Sequence, residues 1–344
     1  MAGGDNELSV ATLSLGEDEA SNNQLDEVRQ SVIACNVDKF LEAAGDVGDR
    51  SPLVVLMEWL HTWQQEYEAF VHVLGIQEDD EEDAAAADNE AEKDLEEMEA
   101  EAGALMTGFG TLATALLQRL AVDNVDSIVD RHGWTLLMQA ANSGLSELLE
   151  ELIKRKVDVN YGGTAKDSTN SLYLAIESEH TEVALLLLKN GAIASATKLV
   201  TTPSVCADQE DGDEQEEEEV DDDCALFQAC RFGHLDVIKE MIALGVDVNF
   251  ALPSTGDRAL HVAVMFEMKE VVELLVESKD IELNALNESG QTCLFGGAGV
   301  ELLQLLIAKG VDPKIKDVDG ETALSMAKEL GDDEVAEFLE TVTA

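Results

Sequence analysis

Histidine and cysteine are the residues of this chain best suited to nucleophilic or metal chemistry. The 344 residues include six histidines and five cysteines. His61 and His72 lie eleven residues apart, about three turns of a helix, which is too far for one metal ion. The cysteines are odd in number and lack the paired spacing of a zinc site: Cys35, Cys206, Cys224, Cys230 and Cys293. The sequence therefore predicts reduced intracellular thiols, no metal site and no cofactor.

The same residues do not form a catalytic constellation. No nucleophile has a base nearby in a recognisable frame, and carboxylates are too abundant for any pair to be singled out. The remaining four histidines fall in turns that recur along the chain: His132, His180, His234 and His261. We therefore expect a protein that is not an enzyme.

The charge balance restricts the class of partner. The chain has 73 acidic and 21 basic residues, a formal net charge of -52. Phosphate binding requires clustered Lys and Arg, so the charge argues against nucleic acid as a direct partner. A protein partner is expected, and its surface is basic if the acidic charge is used for binding.

Two segments concentrate this acidic charge. The first is predicted to be a solvated linker at 77–102, and the second an insertion at about 195–223. Either segment could attract a Lys/Arg-rich partner or serve as a solubilising spacer. The second contains a run of four carboxylates: Glu216, Glu217, Glu218 and Glu219.

A short pattern recurs six times between about Val125 and Val342. It centres on Leu137, Leu172, Leu226, Leu260, Leu294 and Leu324. In five copies an alanine follows three residues later: Ala140, Ala175, Ala229, Ala263 and Ala327. A recurrence near 33 residues is the period of a unit made of one turn and two helices. This pattern resembles the Thr-Pro-Leu-His-x-Ala segment of the ankyrin repeat, and copy four, Arg258 to Ala263, has the histidine.

The resemblance implies an all-α fold, a solenoid of ankyrin helix-turn-helix units over 124–344. Each helix pair carries an apolar stripe that only a stacked neighbour can cover. Partner contacts in this family commonly come from turn tips and exposed positions of the first helices. The matching positions here are Arg131, Trp134, Arg231, Phe232, Arg258, Met265, Phe266 and Gln291. Phe232 and Phe266 could instead pad the adjacent copy.

Copy five departs from the pattern. It is about four residues short, and its first helix would contain Gly296, Gly297 and Gly299. Each glycine costs about 1 kcal/mol in a helix relative to alanine. We therefore predict a truncated or distorted first helix at this copy, and a notch or soft joint near the C-terminal end of the groove.

The region before the array reads as a disordered lead at 1–23, a helical region at 24–76 and a helix at 103–123 leading into the array. The helical region is interpreted as a cap that buries its aromatic residues. Its first part either forms a degenerate leading repeat or is not a repeat, and the sequence does not decide between the two. The start lacks the features of a secretory signal, and no run reaches the ~18 apolar residues of a membrane span.

Two functions are consistent with these features. The first is a non-catalytic intracellular scaffold or adaptor that holds a protein partner on the concave face of the repeats. The alternative is an acidic escort, or chaperone, for a highly basic client such as a ribosomal protein or histone. In either case we expect a monomer without membrane attachment, located in the cytoplasm or, alternatively, the nucleus.

Overall fold

The computed structural model describes residues 27–44, 51–75, 84–120, 124–162, 169–195, 197–201 and 220–344. The chain divides into two compact units, Met1–Asp158 and Val159–Ala344. The described residues are predominantly helical, as the sequence predicts. The first repeat copy belongs to the first unit, and the other five copies belong to the second.

In the described part of the first unit, four helices precede copy one. They are α1 (27–33), α2 (Val37–Ala44), α3 (Pro52–Gly75) and α4 (Ala84–Leu120). Copy one supplies α5 (Leu136–Asn142) and α6 (Ser146–Lys154). Helix α3 packs against α5 and α4 packs against α6, so α3 and α4 occupy the places that a preceding repeat would fill. Trp59 and Trp63 of α3 are buried, which agrees with the cap interpretation.

Helix α4 differs from the predicted linker at 77–102 and from the predicted helix start at 103. It begins at Ala84 and continues without a break to Leu120. Alanine, glutamate and leucine are strong helix formers, and the packed second half of the helix provides the nucleus from which the first half extends. The first acidic segment is therefore helical from Ala84 onward.

The second half of α4 is a core element. Leu105, Phe109, Leu112, Leu116 and Leu117 are fully buried. By length and hydropathy alone, Ala100–Leu120 could cross a membrane, contrary to the sequence estimate that no run is long enough. A core helix of this length passes the same test, and here one side of the helix is covered by α3 and α6.

The joint between α1 and α2 is that of a repeat helix pair. Cys35 has a positive φ of 50°, and the amide of Asn36 donates to the carbonyl of Ser31, five residues earlier, at 2.9 Å. In copy two, Glu179 has a φ of 60° and the amide of His180 donates to the carbonyl of Ala175 at 2.8 Å. Ser31 thus stands where five copies have alanine, and its burial explains why a small residue is needed there.

The second unit is a stack of helix pairs. The first helix of each copy, called the inner helix, packs against neighbouring inner helices, and second helices pack against second helices. The pairs are α7 (Ser171–Glu177) and α8 (Thr181–Lys189), α9 (Ala225–Arg231) and α10 (Leu235–Ala243), α11 (Ala259–Met265) and α12 (Lys269–Val276), and α14 (Ala323–Leu330) and α15 (Asp333–Thr343). Copy five has only one α-helix, α13 (Val300–Lys309).

Two features depart from the regular pattern of helix pairs. Strand β1 (Thr197–Thr201) pairs antiparallel with β2 (Val220–Cys224), with Thr197 opposite Cys224, at the ends of the acidic insertion. In copy five the inner helix is reduced to one 3-10 turn, Cys293–Gly296, followed by Gly297 at a φ of 74°. The predicted truncation is confirmed.

Candidate functional site

The C-terminal ends of the inner helices in the second unit form the candidate site. Arg231 and Phe232 end α9, and Met265 and Phe266 end α11. Because α9 packs against α11, these four residues share one edge of the stack. We call Arg231, Phe232, Met265 and Phe266 the inner-helix edge.

The turn after each inner helix determines where these side chains lie. Gly233 after α9 has a φ of 72°, and Glu267 after α11 has a φ of 54°. The amide of the following residue, His234, then donates to the carbonyl of Ala229 at 2.9 Å, and the chain reverses into the second helix. The last inner-helix residue and the one after it are therefore left without a following turn to cover them.

The edge is apolar and largely open to solvent. The exposed fractions are 49% for Phe232, 53% for Met265 and 42% for Phe266. The guanidinium of Arg231 lies over the Phe266 ring, 5.3 Å from its centroid, a distance typical of cation–π contacts. Phe266 thus pads its neighbour in part and remains available in part. Exposed apolar residues grouped in this way indicate a recognition surface.

The Arg231 side chain is held in place by Asp223, the last residue of the acidic insertion. Its Nη1 donates to the carboxylate of Asp223 at 3.0 Å and to the side-chain oxygen of Gln228 at 2.7 Å. Asp223 is buried and also accepts from the Tyr173 hydroxyl at 3.2 Å. Burial and the nearby Asp223 carboxylate raise the pKa of Tyr173 well above its usual range, so the phenol stays protonated and continues to donate. The charge of Arg231 is therefore balanced within the protein.

The truncation of copy five leaves the Met265 and Phe266 end of the edge uncovered. By repeat register, Gly299 and Val300 stand in copy five where Met265 and Phe266 stand in copy four, but these residues form the start of α13. A Cβ on Gly296 would lie 3.2 Å from the backbone nitrogen of Met265, so the shortened copy approaches α11 closely at that point. Beyond it the expected helical turn is missing, which leaves a notch beside Met265 and Phe266.

The other predicted residues of the second unit lie on the opposite side of their copies, in the turns that precede the inner helices. Nη1 of Arg258 donates to Glu282 at 2.8 Å. Nε2 of Gln291 donates to Asp317 at 3.3 Å, and the Gln291 carbonyl is 3.2 Å from Nε2 of His261. The structure therefore places Arg258 and Gln291 in contacts between successive turns, away from the inner-helix edge.

Arg131 and Trp134 belong to the first unit and meet the cap helix α3. Nη2 of Arg131 donates to the hydroxyl of Thr62 at 3.1 Å. The His61 ring lies edge-on to Trp134, with 5.2 Å between ring centroids. These two residues join copy one to α3, a role that the sequence alone did not assign to them.

At this junction the rings of His61 and His132 are in contact. Their ring centroids are 4.2 Å apart. Burial first, and then the charge of His132, lower the pKa of His61 below its ordinary value of 6.5, while Asp130 opposes this effect and Arg131 adds to it. A lowered histidine pKa means that the unfolded chain binds the proton more tightly than the folded chain.

We therefore expect the first unit to lose stability as the pH falls from 8 through 6.5 toward 5.5. All three tryptophans lie in the first unit, so urea unfolding followed by tryptophan fluorescence reports this unit. Because carboxylates also begin to titrate in this range, the quantity to compare is the difference in unfolding free energy between the wild type and His61→Gln. A difference that stays constant between pH 8 and pH 5.5 would contradict the prediction.

One predicted set of residues and one residue that was not predicted remain to be placed. Glu216 to Glu219 lie outside the described residues. Leu330 is six residues after the repeat leucine of copy six, the same position that Phe266 has in copy four. It is 72% exposed and was not among the predicted site residues. Repeat register alone could have identified it, because it occupies the same position at the end of α14.

Three of the described cysteines, Cys224, Cys230 and Cys293, are buried, and Cys35 is exposed in the first unit. Burial and the nearby Cys224 raise the pKa of the Cys230 thiol, and burial raises that of Cys293 to about 12. Protonated thiols are poor nucleophiles and poor metal ligands. Among the described residues, no group of three or more His, Cys, Asp or Glu side chains is arranged to hold a metal ion.

The family described as "Ankyrin repeats (3 copies)" matches residues 104–198 and 204–287, which together make up just over half of the chain. The chain belongs to the ankyrin-repeat family. The predicted family and fold class are thereby confirmed. Ankyrin repeats generally mediate protein–protein interactions, and the fold is typically a non-catalytic module.

Similar proteins share the repeats but differ in size. The chain is 28% identical over 134 residues to ANK repeat-containing protein nipk-1 of Caenorhabditis elegans, covering 34% of the chain and 22% of that protein. It is 25% identical over 214 residues to the Nuclear factor NF-kappa-B p105 subunit of Gallus gallus, covering 60% of the chain and 20% of that protein. The chain thus spans about a fifth of the length of these relatives.

The solved structure of the ankyrin repeat domain of Bcl-3 shows the same fold. The ankyrin repeat domain of Bcl-3 is 20% identical, with a TM-score of 0.50, and the match covers 70% of this chain and 95% of that one. EF0377, an ankyrin repeat protein, is 21% identical with a TM-score of 0.48, and the match covers 59% of this chain and 96% of that one.

Proposed function

We propose that this protein is a non-catalytic scaffold or adaptor that binds a protein partner at the inner-helix edge of its second unit. The observation that carries the proposal is the solvent exposure of three large apolar side chains, Phe232, Met265 and Phe266, on adjacent helix ends. Solvated apolar area of this kind is unfavourable for a free protein and is removed from water when a partner binds, at roughly 25 cal/mol per Å² of apolar surface.

The sequence of copy five accounts for part of the exposure of these apolar side chains. A complete copy five would cover part of their surface, and the glycines of that copy prevent the inner helix from forming. The truncation makes the copy a weaker stacking neighbour, because its helix buries less surface. A partner that binds at the edge would bury the apolar surface that the shortened helix leaves exposed.

Photo-crosslinking tests the proposal, with p-benzoylphenylalanine at position 232 or 266 in cells that produce the protein. Leu244 at the end of α10 is the matched control position, because it is 52% exposed and lies on a second helix. We expect one protein adduct shared by positions 232 and 266 and missing at 244, and we expect Phe232→Ser combined with Phe266→Ser to abolish binding of that protein. The same adducts at all three positions would refute a binding site at the edge.

The escort function is retained as the second candidate because of one observation, the net charge of -52. An acidic carrier for a basic client would bind mainly through long-range attraction. Its binding would weaken steeply between low and physiological salt, since the Debye length is about 10 Å at 0.1 M. Binding centred on the apolar edge would change little over the same range.

A further inference from the structure

From the described residues we infer that the inner-helix edge recognises a protein segment in which bulky apolar residues are flanked by Lys or Arg. This inference rests on the proposed function and adds the chemistry of the partner. It depends on how the side chains at the ends of successive inner helices vary from copy to copy.

The apolar side chains at the ends of successive inner helices form a row along the stack. The sixth residue after the repeat leucine is Ser178 in copy two, Phe232 in copy three, Phe266 in copy four and Leu330 in copy six. The last three are exposed by 49%, 42% and 72%. The notch of copy five lies between Phe266 and Leu330 along the repeat order. An apolar side chain entering there would contact the flank of α11 that the missing helix leaves open.

Carboxylates lie at both ends of this row. Glu179 stands just after α7 before it, and Glu329 stands in α14 after it; both are exposed. Asp332, also exposed, accepts from the amide of Val335 at 3.1 Å and caps α15. Glu267 lies between the two ends and accepts a hydrogen bond from the amide of Gly299 at 2.8 Å, which holds the start of α13. The row therefore has an apolar centre and acidic ends.

The cations near the row are balanced by carboxylates of the same unit. Arg231 pairs with Asp223 at 3.0 Å, Lys269 with Glu301 at 3.2 Å and Lys328 with Glu340 at 2.5 Å. The carboxylates at the ends of the row consequently dominate the local potential. A partner with Lys or Arg on either side of its apolar residues complements this arrangement, and an acidic partner is repelled.

The spacing of the helices limits the length of the segment. Packed helices lie about 8–10 Å apart. A segment in the polyproline II conformation has about three residues per turn and rises about 3.1 Å per residue, so side chains three residues apart lie on one face about 9 Å apart and can reach Phe232 and Phe266. A segment that also reaches the acidic ends needs roughly twelve residues.

A randomised 16-residue peptide library displayed on phage and selected on the full chain tests this inference. Clones that also bind the variant Met265→Ser with Phe266→Ser are removed in a counter-selection. We expect the retained sequences to carry bulky apolar residues about three apart and an excess of Lys and Arg over Asp and Glu. A synthetic peptide from this set should bind Phe266→Ser at least tenfold more weakly and Leu244→Ser as tightly as the wild type.

The charged part is tested separately with Glu179→Gln combined with Glu329→Gln. We expect this variant to bind the same peptide at least threefold more weakly at roughly 100 mM salt, with a smaller loss at 500 mM because the attraction is screened. Retained sequences without a basic excess, no retained sequences, or binding that is insensitive to Phe266→Ser would each overturn the inference.

The two proposals fail in different ways. If crosslinking at positions 232 and 266 captures a partner but the selected peptides lack basic residues, the partner chemistry is wrong and the binding surface stands. If crosslinking shows no preference over position 244, the proposed function fails whatever the peptides contain. Circular dichroism of each variant confirms that these exposed substitutions leave the helices folded.

Discussion

Replacing Gly108 by alanine is expected to destabilise the first unit by about 1–3 kcal/mol, the usual effect of overpacking. A Cβ on Gly108, in the middle of α4, would lie 2.3 Å from the carbonyl oxygen and 2.9 Å from the carbonyl carbon of Val32. Both are backbone atoms of α1 and cannot rotate away, so α1 must move off α4. Val32 itself is fully buried, and this movement would expose it.

Gly103→Ala is the matched control, because it makes the same change in the same helix. A Cβ on Gly103 meets nothing within 4 Å. We therefore expect Gly103→Ala to stabilise the unit by about 1 kcal/mol, the difference in helix propensity between glycine and alanine. Urea unfolding followed by tryptophan fluorescence measures both changes, and hydrogen exchange at 27–33 should accelerate only in Gly108→Ala. Equal stabilisation by both substitutions would show that α1 does not pack closely on α4.

The repeat core could be predicted from sequence because it depends on local periodicity. A leucine recurs in each copy and an alanine in every copy except copy five, and the structure buries all of them except Leu324. Copy five was also predictable, since glycine disfavours helix through backbone entropy alone. These features require no knowledge of which residues meet over long distances.

The start of α4 could not be predicted in the same way. An isolated acidic run is expected to stay solvated, because like charges repel along it. Ala84 to Leu120 nevertheless form one helix, because packing of the second half removes the cost of nucleation for the first half. Whether an acidic segment continues a neighbouring helix thus depends on packing beyond that segment.

All four residues of the inner-helix edge, Arg231 among them, were singled out from the sequence. Phe232, Met265 and Phe266 were singled out as apolar residues at exposed helix ends, and the structure places them together on one edge. Arg258 and Gln291 were chosen by the same positional rule, yet their side chains contact Glu282 and Asp317 of neighbouring turns. A long polar side chain can reach a partner protein or the next repeat equally well, and its sequence position does not distinguish the two.

The turns that precede the inner helices provide the second large prediction. In copy four the carbonyl of Thr255 accepts from the amide of Glu288 in copy five at 2.9 Å. This bond places the next turn directly over Gly256, where a Cβ would lie 2.7 Å from the Glu288 nitrogen. Gly256 also has a φ of 71°, a conformation that L side chains disfavour. Gly256→Ala therefore combines backbone strain with a backbone clash.

Gly320 separates the two contributions. It has a φ of 84° in copy six, but a Cβ there meets nothing within 4 Å. Gly320→Ala should cost about 1–2 kcal/mol from the left-handed conformation alone, and Gly256→Ala should cost about 1–3 kcal/mol more because of the clash. Circular dichroism follows unfolding of the second unit, while the tryptophan transition reports the first unit and should stay unchanged. Equal losses from both substitutions would mean that the turns do not stack as tightly as the Thr255–Glu288 bond indicates, and the edge opposite them would then not be rigidly held.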